Sequence, residues 1–293
     1  MSNFTGAMTA LITPFHAGKI DETAFRNLIS WQIEQDIDGI VPSGTTGEAA
    51  TLRLEEHFQL ISIAVAEADG RFPVIAGTGS NNTEHAIHLG LQAKKAGADA
   101  HLSVTPYYNK PTQEGLYQHY KAIAEAVDLP LILYNVPGRT AVNMLPETVA
   151  RLSKISNIVG LKEACGHMQQ VRDVVAAVPS PFIILSGEDA QNADIYAAGG
   201  KGCISVTSNV APKLVSEVWD LWTADKKDEA FTAQEKLQSL NQAMFFETNP
   251  LPAKTSLALM GRCREEFRLP LTAMGKENRV KLYNVLQEYQ FLS

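Results

Sequence analysis

The segment KISNIVGLKEACG, residues 154–166, carries a short apolar run, Ile158, Val159 and Leu161, that closes on Lys162 and then on Gly166. Aliphatic residues ended by a glycine turn read as a buried strand. The next stretch, HMQQVRDVVAAV (167–178), repeats apolar residues at helical spacing. One strand and one helix form the unit, and the rest of the chain repeats it.

Outward from that unit the same alternation runs in both directions. Strands are expected at AMTALITPF (7–15), GIVPSG (39–44), PVIAGTG (73–79), DAHLSVTP (99–106) and PLILYNVP (130–137). NIVGLKEA (157–164), FIILSGE (182–188) and GCISVTS (202–208) bring the total to eight. Each is rich in Val, Ile or Leu and closes at Gly, Pro, Ser, Thr or Asn, as buried parallel strands do. Between them lie helical patterns such as DETAFRNLISWQIEQ, which opens on Asp21 as an N-cap. RLEEHFQLISIAVAEA, TEHAIHLGLQAKKAG, TQEGLYQHYKAIAEAV, PETVARLSKI, DAQNADIYAAG and APKLVSEVWDLWTA have the same character.

Eight strand–helix units in about 225 residues, with no linker between them, predict an α/β fold, a (β/α)8 TIM barrel. The competing architecture, an open doubly wound sheet, carries a Gly-rich dinucleotide turn after its first strand, and LITPFHAGKID lacks that fingerprint. Residues 226–293 show no strand pattern but three helical segments, KDEAFTAQEKLQSLNQAMFF, LPAKTSLALMG and TAMGKENRVKLYNVLQEY. The expected organisation is therefore a catalytic barrel over 1–225 with a C-terminal helical extension, 226–293, packed on the same unit.

Of the 293 residues, 45% are hydrophobic and 19% charged, which suits a globular chain with a sizeable core. A formal net charge of −7 offers no broad basic field for nucleic acid. The start, MSNFTGAMTALITPF, has no basic n-region and no long apolar core, so no secretory signal is expected. No apolar run approaches the roughly 20 residues of a membrane span. Cys165, Cys203 and Cys263 are far apart and odd in number, which fits reduced thiols and a cytoplasmic location.

In a barrel of this kind the chemistry collects at the C-terminal ends of the strands. Those ends read SGTTGEA, GTGSNNT, TPYYNK, YNVPGRT, LKEACG, SGEDA and VTSNVA, so hydroxyl, amide and backbone donors gather at one rim with Lys162, Tyr134, Arg139, Tyr107 and Tyr108. Side chains alternate along a strand, so Gly160, Lys162 and Ala164 share a face, as do Ile132, Tyr134 and Val136 on the strand before. A rim lysine ordinarily snorkels to water. One facing a phenol among small neighbours instead loses its charge on burial and becomes a nucleophile able to form a Schiff base with a ketone.

GTTGE can be a plain tight turn. It can also be a nest in which Gly44 and Gly47 admit a ligand and Thr45 and Thr46 donate to a small carboxylate. Arg139 can pair with a surface acid or grip a carboxylate in its planar fork. His85 and His88 stand at i, i+3 without further ligands and read as a solvated helix face, and Cys165, with no histidine partner, reads as packing.

GTTGEAATL, YYNKPTQEGLYQH, LILYNVPGRT, IVGLKEACG and GGKGCISVTSN together resemble the signatures of the 4-hydroxy-tetrahydrodipicolinate synthase family, the dihydrodipicolinate synthases, among the pyruvate-dependent class I aldolases. The resemblance runs from about residue 4 past NPLPAK. It implies a lyase of diaminopimelate and lysine biosynthesis that condenses pyruvate with L-aspartate 4-semialdehyde and needs neither metal nor organic cofactor. By this resemblance Lys162 forms the Schiff base, and Tyr134 relays protons through Thr45 to Tyr108 of a neighbouring subunit. Thr46 holds the pyruvate carboxylate, Arg139 that of the semialdehyde, and backbone at Gly187 and Ile204 lines the pocket. A tyrosine shared across subunits implies a homo-oligomer, a homotetramer built as a dimer of dimers.

Two other readings remain beside it. A keto-sugar-acid lyase, such as one acting on N-acetylneuraminate, shares the lysine and tyrosine but usually lacks the arginine of VPGRT. A catalytically silent ligand-binding barrel has no need of Lys162, Tyr134 and Thr45 together.

The resemblance also implies an allosteric lysine site near Ala49, Leu54, His57, Asn81, His85 and Tyr107. His57, Asn81 and Tyr107 match the pattern of feedback-sensitive members, whereas Leu54 replaces a histidine and His85 a glutamate. An imidazole grips an ammonium poorly. Weak or absent inhibition by L-lysine is expected.

Overall fold

The computed structural model describes residues 4–292. Eight parallel strands form its centre: β1 Gly6–Ala10, β2 Gly39–Val41, β3 Ile75–Gly77, β4 Ala100–Val104, β5 Leu131–Asn135, β6 Ile158–Glu163, β7 Ile183–Ser186 and β8 Gly202–Ser205. Their order in the sheet is β2-β1-β8-β7-β6-β5-β4-β3, and a parallel bridge between Ile40 and Val74 joins the two ends. The sheet therefore closes on itself, as the eight repeated units predict.

Eight helices follow the strands: α1 Glu22–Glu34, α2 Leu54–Ala68, α3 Thr83–Ala96, α4 Gln113–Ala126, α5 Pro146–Leu152, α6 Met168–Ala177, α7 Asn192–Ala197 and α8 Pro212–Thr223. Their starts are set by local chemistry. The side chains of Asp21, Asn82 and Thr112 accept the backbone N–H of Ala24, His85 and Gly115, so the free donors of the first turn are satisfied. Helix α3 ends at Gly97, whose φ of 88° is open to a glycine and costly for other residues.

Alternation along the strands sorts two environments. Met8, Val41, Ile75, Ala100, Leu102, Ile132, Tyr134, Leu185 and Ile204 fill the barrel interior. Leu131, Leu133, Ile158, Leu161 and Ile184 face outward onto the helices, with Leu116, Ile123 and Val174. Strand β6 contains one irregularity that matters for function. Leu131 pairs with Ile158 but Ile132 pairs with Gly160, so Val159 is an extra residue, a bulge. The ladder resumes with Tyr134 opposite Lys162, whereas an uninterrupted ladder from Ile158 would set Leu161 there. A side-chain carbon at Gly160 would lie 2.6 Å from the carbonyl oxygen of Ile183, so the bulge requires glycine at this close approach.

The strands are shorter than the apolar runs suggested. Leu11 and Ile12 are buried yet lie beyond β1: Leu11 N–H still reaches the Val41 carbonyl of β2 at 3.1 Å, but Ile12 N–H donates to the Asn209 side chain. From Ile12 onward, hydrophobicity reports burial under rim loops and not membership of the ladder. Small elements that went unforeseen include a hairpin of Phe15–His16 with Lys19–Ile20, and one helical turn, Pro137–Thr140.

The C-terminal helices are α9 Lys227–Lys236, α10 Gln238–Ala243, α11 Leu251–Leu259 and α12 Lys276–Glu288. One long helix was expected over 227–246. Instead Leu237 N–H bonds to Gln234, three residues back at 3.1 Å, and the tightened turn separates α9 from α10. Leu240, Ala243, Met244, Leu257, Leu282 and Leu286 join the same apolar cluster as Phe25, Leu28, Leu60 and Val215. Among the described residues no helix is long and apolar enough to cross a membrane.

Candidate active site

Lys162 and Tyr134 are register partners on β6 and β5 and both point into the barrel. The lysine is only 5% exposed, and its Nζ lies 4.5 Å from the centre of the Tyr134 ring. Burial depresses the amine to about 8, partly offset by the negative charge of Asp189. The same burial raises the Tyr134 phenol to about 12. An amine that gives up its proton more readily than an ordinary lysine therefore faces a phenol that keeps its own. That pair can attack a carbonyl and hand protons to and from the adduct.

Room beside the amine comes from missing side chains. A Cβ on Gly187, just past β7, would lie 2.9 Å from Lys162 Cε and 2.8 Å from the Ala164 methyl. On β8 the buried Ile204 contributes to the interior beside Tyr134.

The loop after β2 brings GTTGE over the barrel. A Cβ on Gly77 would collide with Ser43 and Gly44 backbone, so β3 gives way to let this loop settle. Thr46 is buried and Thr45 is exposed. Thr46 Oγ1 accepts a 2.9 Å hydrogen bond from Asn249 Nδ2, and the Asn249 carbonyl accepts one of 3.2 Å from Arg139 Nη2. Arg139 sits in the Pro137–Thr140 turn with its side chain open to solvent. One residue of the C-terminal extension thus connects the two groups expected to hold carboxylates.

Sequence reasoning gave Asn249 no role, although NPLPAK lay within the span of the resemblance. Asp189 was missed as well. It is buried, and its Oδ2 accepts the N–H of Val206 and of Thr207, at 2.8 and 3.0 Å, which fixes the loop after β8. A buried carboxylate in SGEDA, at a strand end, was the available signal.

Beneath the loop, Glu48 and Lys254 form a fully buried ion pair. Lys254 also donates to the Glu266 carbonyl at 3.0 Å and stands 4.3 Å from the Phe15 ring centre. Arg268 N–H reaches Glu48 Oε2 at 3.2 Å while its guanidinium holds Glu56 through two 2.7 Å bonds. Those bonds keep the Glu56 carboxyl down at about 2.

Most of the remaining residues of interest are exposed. Tyr108 is 89% exposed with φ at 75°, a left-handed conformation unusual for an aromatic residue. Tyr107, Leu54 and His85 are also exposed, and Ala49 is half-buried. Asn81 Nδ2 donates to the Tyr107 carbonyl at 3.1 Å. His57 is buried with Nε2 at 2.7 Å from the Gly77 carbonyl oxygen, and burial holds it below the ordinary histidine range. Burial pushes the Cys165 thiol up to about 12, in keeping with packing rather than thiolate chemistry.

A family model, the dihydrodipicolinate synthetase family, matches residues 3–289. The chain belongs to this family. It is 55% identical to the 4-hydroxy-tetrahydrodipicolinate synthase of Thermodesulfovibrio yellowstonii, over 97% of this chain and 98% of that protein. To the enzyme of the same name from Syntrophus aciditrophicus it is 54% identical, over 98% of each chain. Among solved structures, dihydrodipicolinate synthase from Aquifex aeolicus superposes with a TM-score of 0.97 at 45% identity, covering 98% of this chain and 99% of that one. The chloride-inhibited dihydrodipicolinate synthase from Acinetobacter baumannii, complexed with pyruvate, gives 0.97 at 46% identity, covering 99% and 100%. Membership of the dihydrodipicolinate synthetase family thus extends over both the barrel and the C-terminal helices.

Proposed function

We propose that this protein is a 4-hydroxy-tetrahydrodipicolinate synthase, a class I aldolase-type lyase that condenses pyruvate with L-aspartate 4-semialdehyde on Lys162. The observation that carries the reading is the buried amine of Lys162, its proton loosened by burial, opposite Tyr134. Neutral Nζ attacks the pyruvate ketone, water leaves, and a protonated imine remains. Loss of a methyl proton then gives an enamine, which attacks the aldehyde carbon of the semialdehyde. The substrate's own amino group closes the ring on the former ketone carbon and displaces the lysine, so one water is released overall. Tyr134, with its high phenol, ferries the protons.

In this reading Thr46 and the neighbouring loop N–H groups hold the pyruvate carboxylate, and Arg139 takes the carboxylate of the semialdehyde. Gly187 and Ile204 shape the pocket. Tyr108, outward-facing and held in a strained conformation, is supplied through Thr45 to the site of a second copy, which makes the working form an oligomer, a tetramer of paired dimers in the cytoplasm. The guanidinium at 139 disfavours the keto-sugar-acid lyase, whose acceptor presents hydroxyls there. The intact lysine and tyrosine pair disfavours a silent binding barrel.

The test is reductive trapping. Incubation with pyruvate and borohydride, followed by peptide mass mapping, gives an adduct on Lys162, and addition of the semialdehyde competes with it by turnover. An adduct elsewhere, or none, defeats the assignment.

A further inference from the structure

Behind the reacting pair, on the helix-facing side of the same two strands, lies a polar group of four beside the aliphatic outward positions Leu131, Leu133 and Leu161. Asn135 and Glu163 are register partners one position beyond Tyr134 and Lys162. Both are buried, at 0% and 1% exposure. Asn135 Nδ2 donates to Glu163 Oε1 at 2.9 Å and to Asn143 Oδ1 at 2.8 Å. Gln170 Nε2, from α6, donates to Glu163 Oε2 at 3.1 Å and to Asn143 Oδ1 at 3.0 Å. Asn143 Nδ2 returns a 2.7 Å bond to Gln170 Oε1, and Asn135 Oδ1 accepts Met144 N–H at 3.0 Å.

Such a cluster is an expensive way to fill an apolar layer, since aliphatic side chains of the same volume pack there without desolvation cost. Leu131, Leu133 and Leu161 do that at the neighbouring outward positions. What hydrogen bonds add is directional: they fix the height of β5 against β6. That height is otherwise vulnerable, because the bulge at Val159 lies only three residues before the lysine and leaves the ladder irregular below it.

We propose that Asn135, Asn143, Glu163 and Gln170 are positioning residues, a clasp that locks the two strands so that the Lys162 amine and the Tyr134 phenol stay opposed. This rests on those two side chains being the reacting pair. The clasp touches no substrate, and it acts through the strands.

Gln170→Met and Asn143→Leu test it, because each keeps side-chain bulk, removes the directional bonds and sits at a partly buried position off the strands. Each is expected to lower kcat and the rate of borohydride-trapped adduct formation about tenfold, as small misplacements of reacting groups do. The KM for pyruvate is expected to stay within about twofold, because the carboxylate is gripped elsewhere. Leu152→Ala, a cavity in the same layer, serves as the control: it lowers Tm but leaves kcat at 25 °C unchanged. Unaltered kcat in the clasp variants, or an equal loss in the control, overturns the clasp. Absence of any wild-type adduct on Lys162 overturns the underlying assignment instead.

Discussion

A methyl group on Gly187 would sit 2.9 Å from the Cε of Lys162 and 2.8 Å from the Ala164 side chain, so the lysine occupies space that only glycine leaves free. Gly187→Ala is therefore expected to lower Tm, because the lysine tip can swing aside but the Ala164 methyl cannot, and to trap pyruvate at least about tenfold more slowly. Stopped-time borohydride trapping checks this, and an unchanged rate would show the amine to be less confined than the geometry states.

The depressed amine sets a pH profile. With Lys162 near 8, the neutral fraction climbs as pH rises, and trapping at saturating pyruvate should accelerate about tenfold between pH 7 and pH 9. Stability follows with the opposite consequence. Between about 8 and the ordinary 10.5 the unfolded chain holds a proton that the folded chain lacks, so the lysine costs stability below that window and not above it. Lys162→Met should thus abolish turnover while raising Tm at pH 7, and the gain should fade as pH climbs toward 10.5. Thermal melts across pH decide the matter.

Tyr108 makes no core contact in its own subunit, so Tyr108→Phe should leave Tm within about a degree while lowering kcat by an order of magnitude or more. Mixing it with a Lys162→Met partner offers a sharper check. If the phenol crosses between subunits, hybrid dimers regain one site with both wild-type groups, and activity reappears on mixing; a monomer with full activity contradicts the arrangement.

Removing one member of the Glu48–Lys254 pair strands the other inside the protein. Lys254→Met is expected to destabilise the fold by about 3–5 kcal/mol, and the double variant with Glu48→Gln by less, because no uncompensated charge is left. Urea unfolding of the three proteins measures the difference. Equal losses would mean that the pair contributes through packing alone.

At the outer face, His85 and Leu54 offer no carboxylate to an ammonium group. L-lysine is expected to inhibit only above about 10 mM, consistent with the few weak polar contacts available. Inhibition below 1 mM in steady-state assays would refute this.

The fold was legible because each strand–helix unit carries its own periodicity and its own breakers, so the eight repeats could be read one at a time. The rim position of Lys162, Tyr134 and Arg139 was legible for a related reason: each stands where an apolar run gives way to polar residues and a glycine. Asn249 and Asp189 were not. Asn249 meets Thr46 across 203 residues, and no local pattern reports a hydrogen bond at that range. The bulge at Val159 was equally hidden, because an apolar run with one extra residue looks like any other apolar run. Asn135 and Glu163 each look like ordinary strand-end polar residues until the register sets them side by side.

The loop that carries Thr46 is tied down by Asn249, Lys254 and Arg268, all from the C-terminal extension that follows the last barrel strand. A nascent polypeptide emerging from the ribosome can complete all eight strands, lysine included, and still lack the clamps for its carboxylate-holding loop. On the proposed reading, competence to hold a 2-oxo acid then arrives abruptly, once the segment through Arg268 has folded back. A prematurely terminated product is left with the nucleophile but without a firm grip on what it should attack.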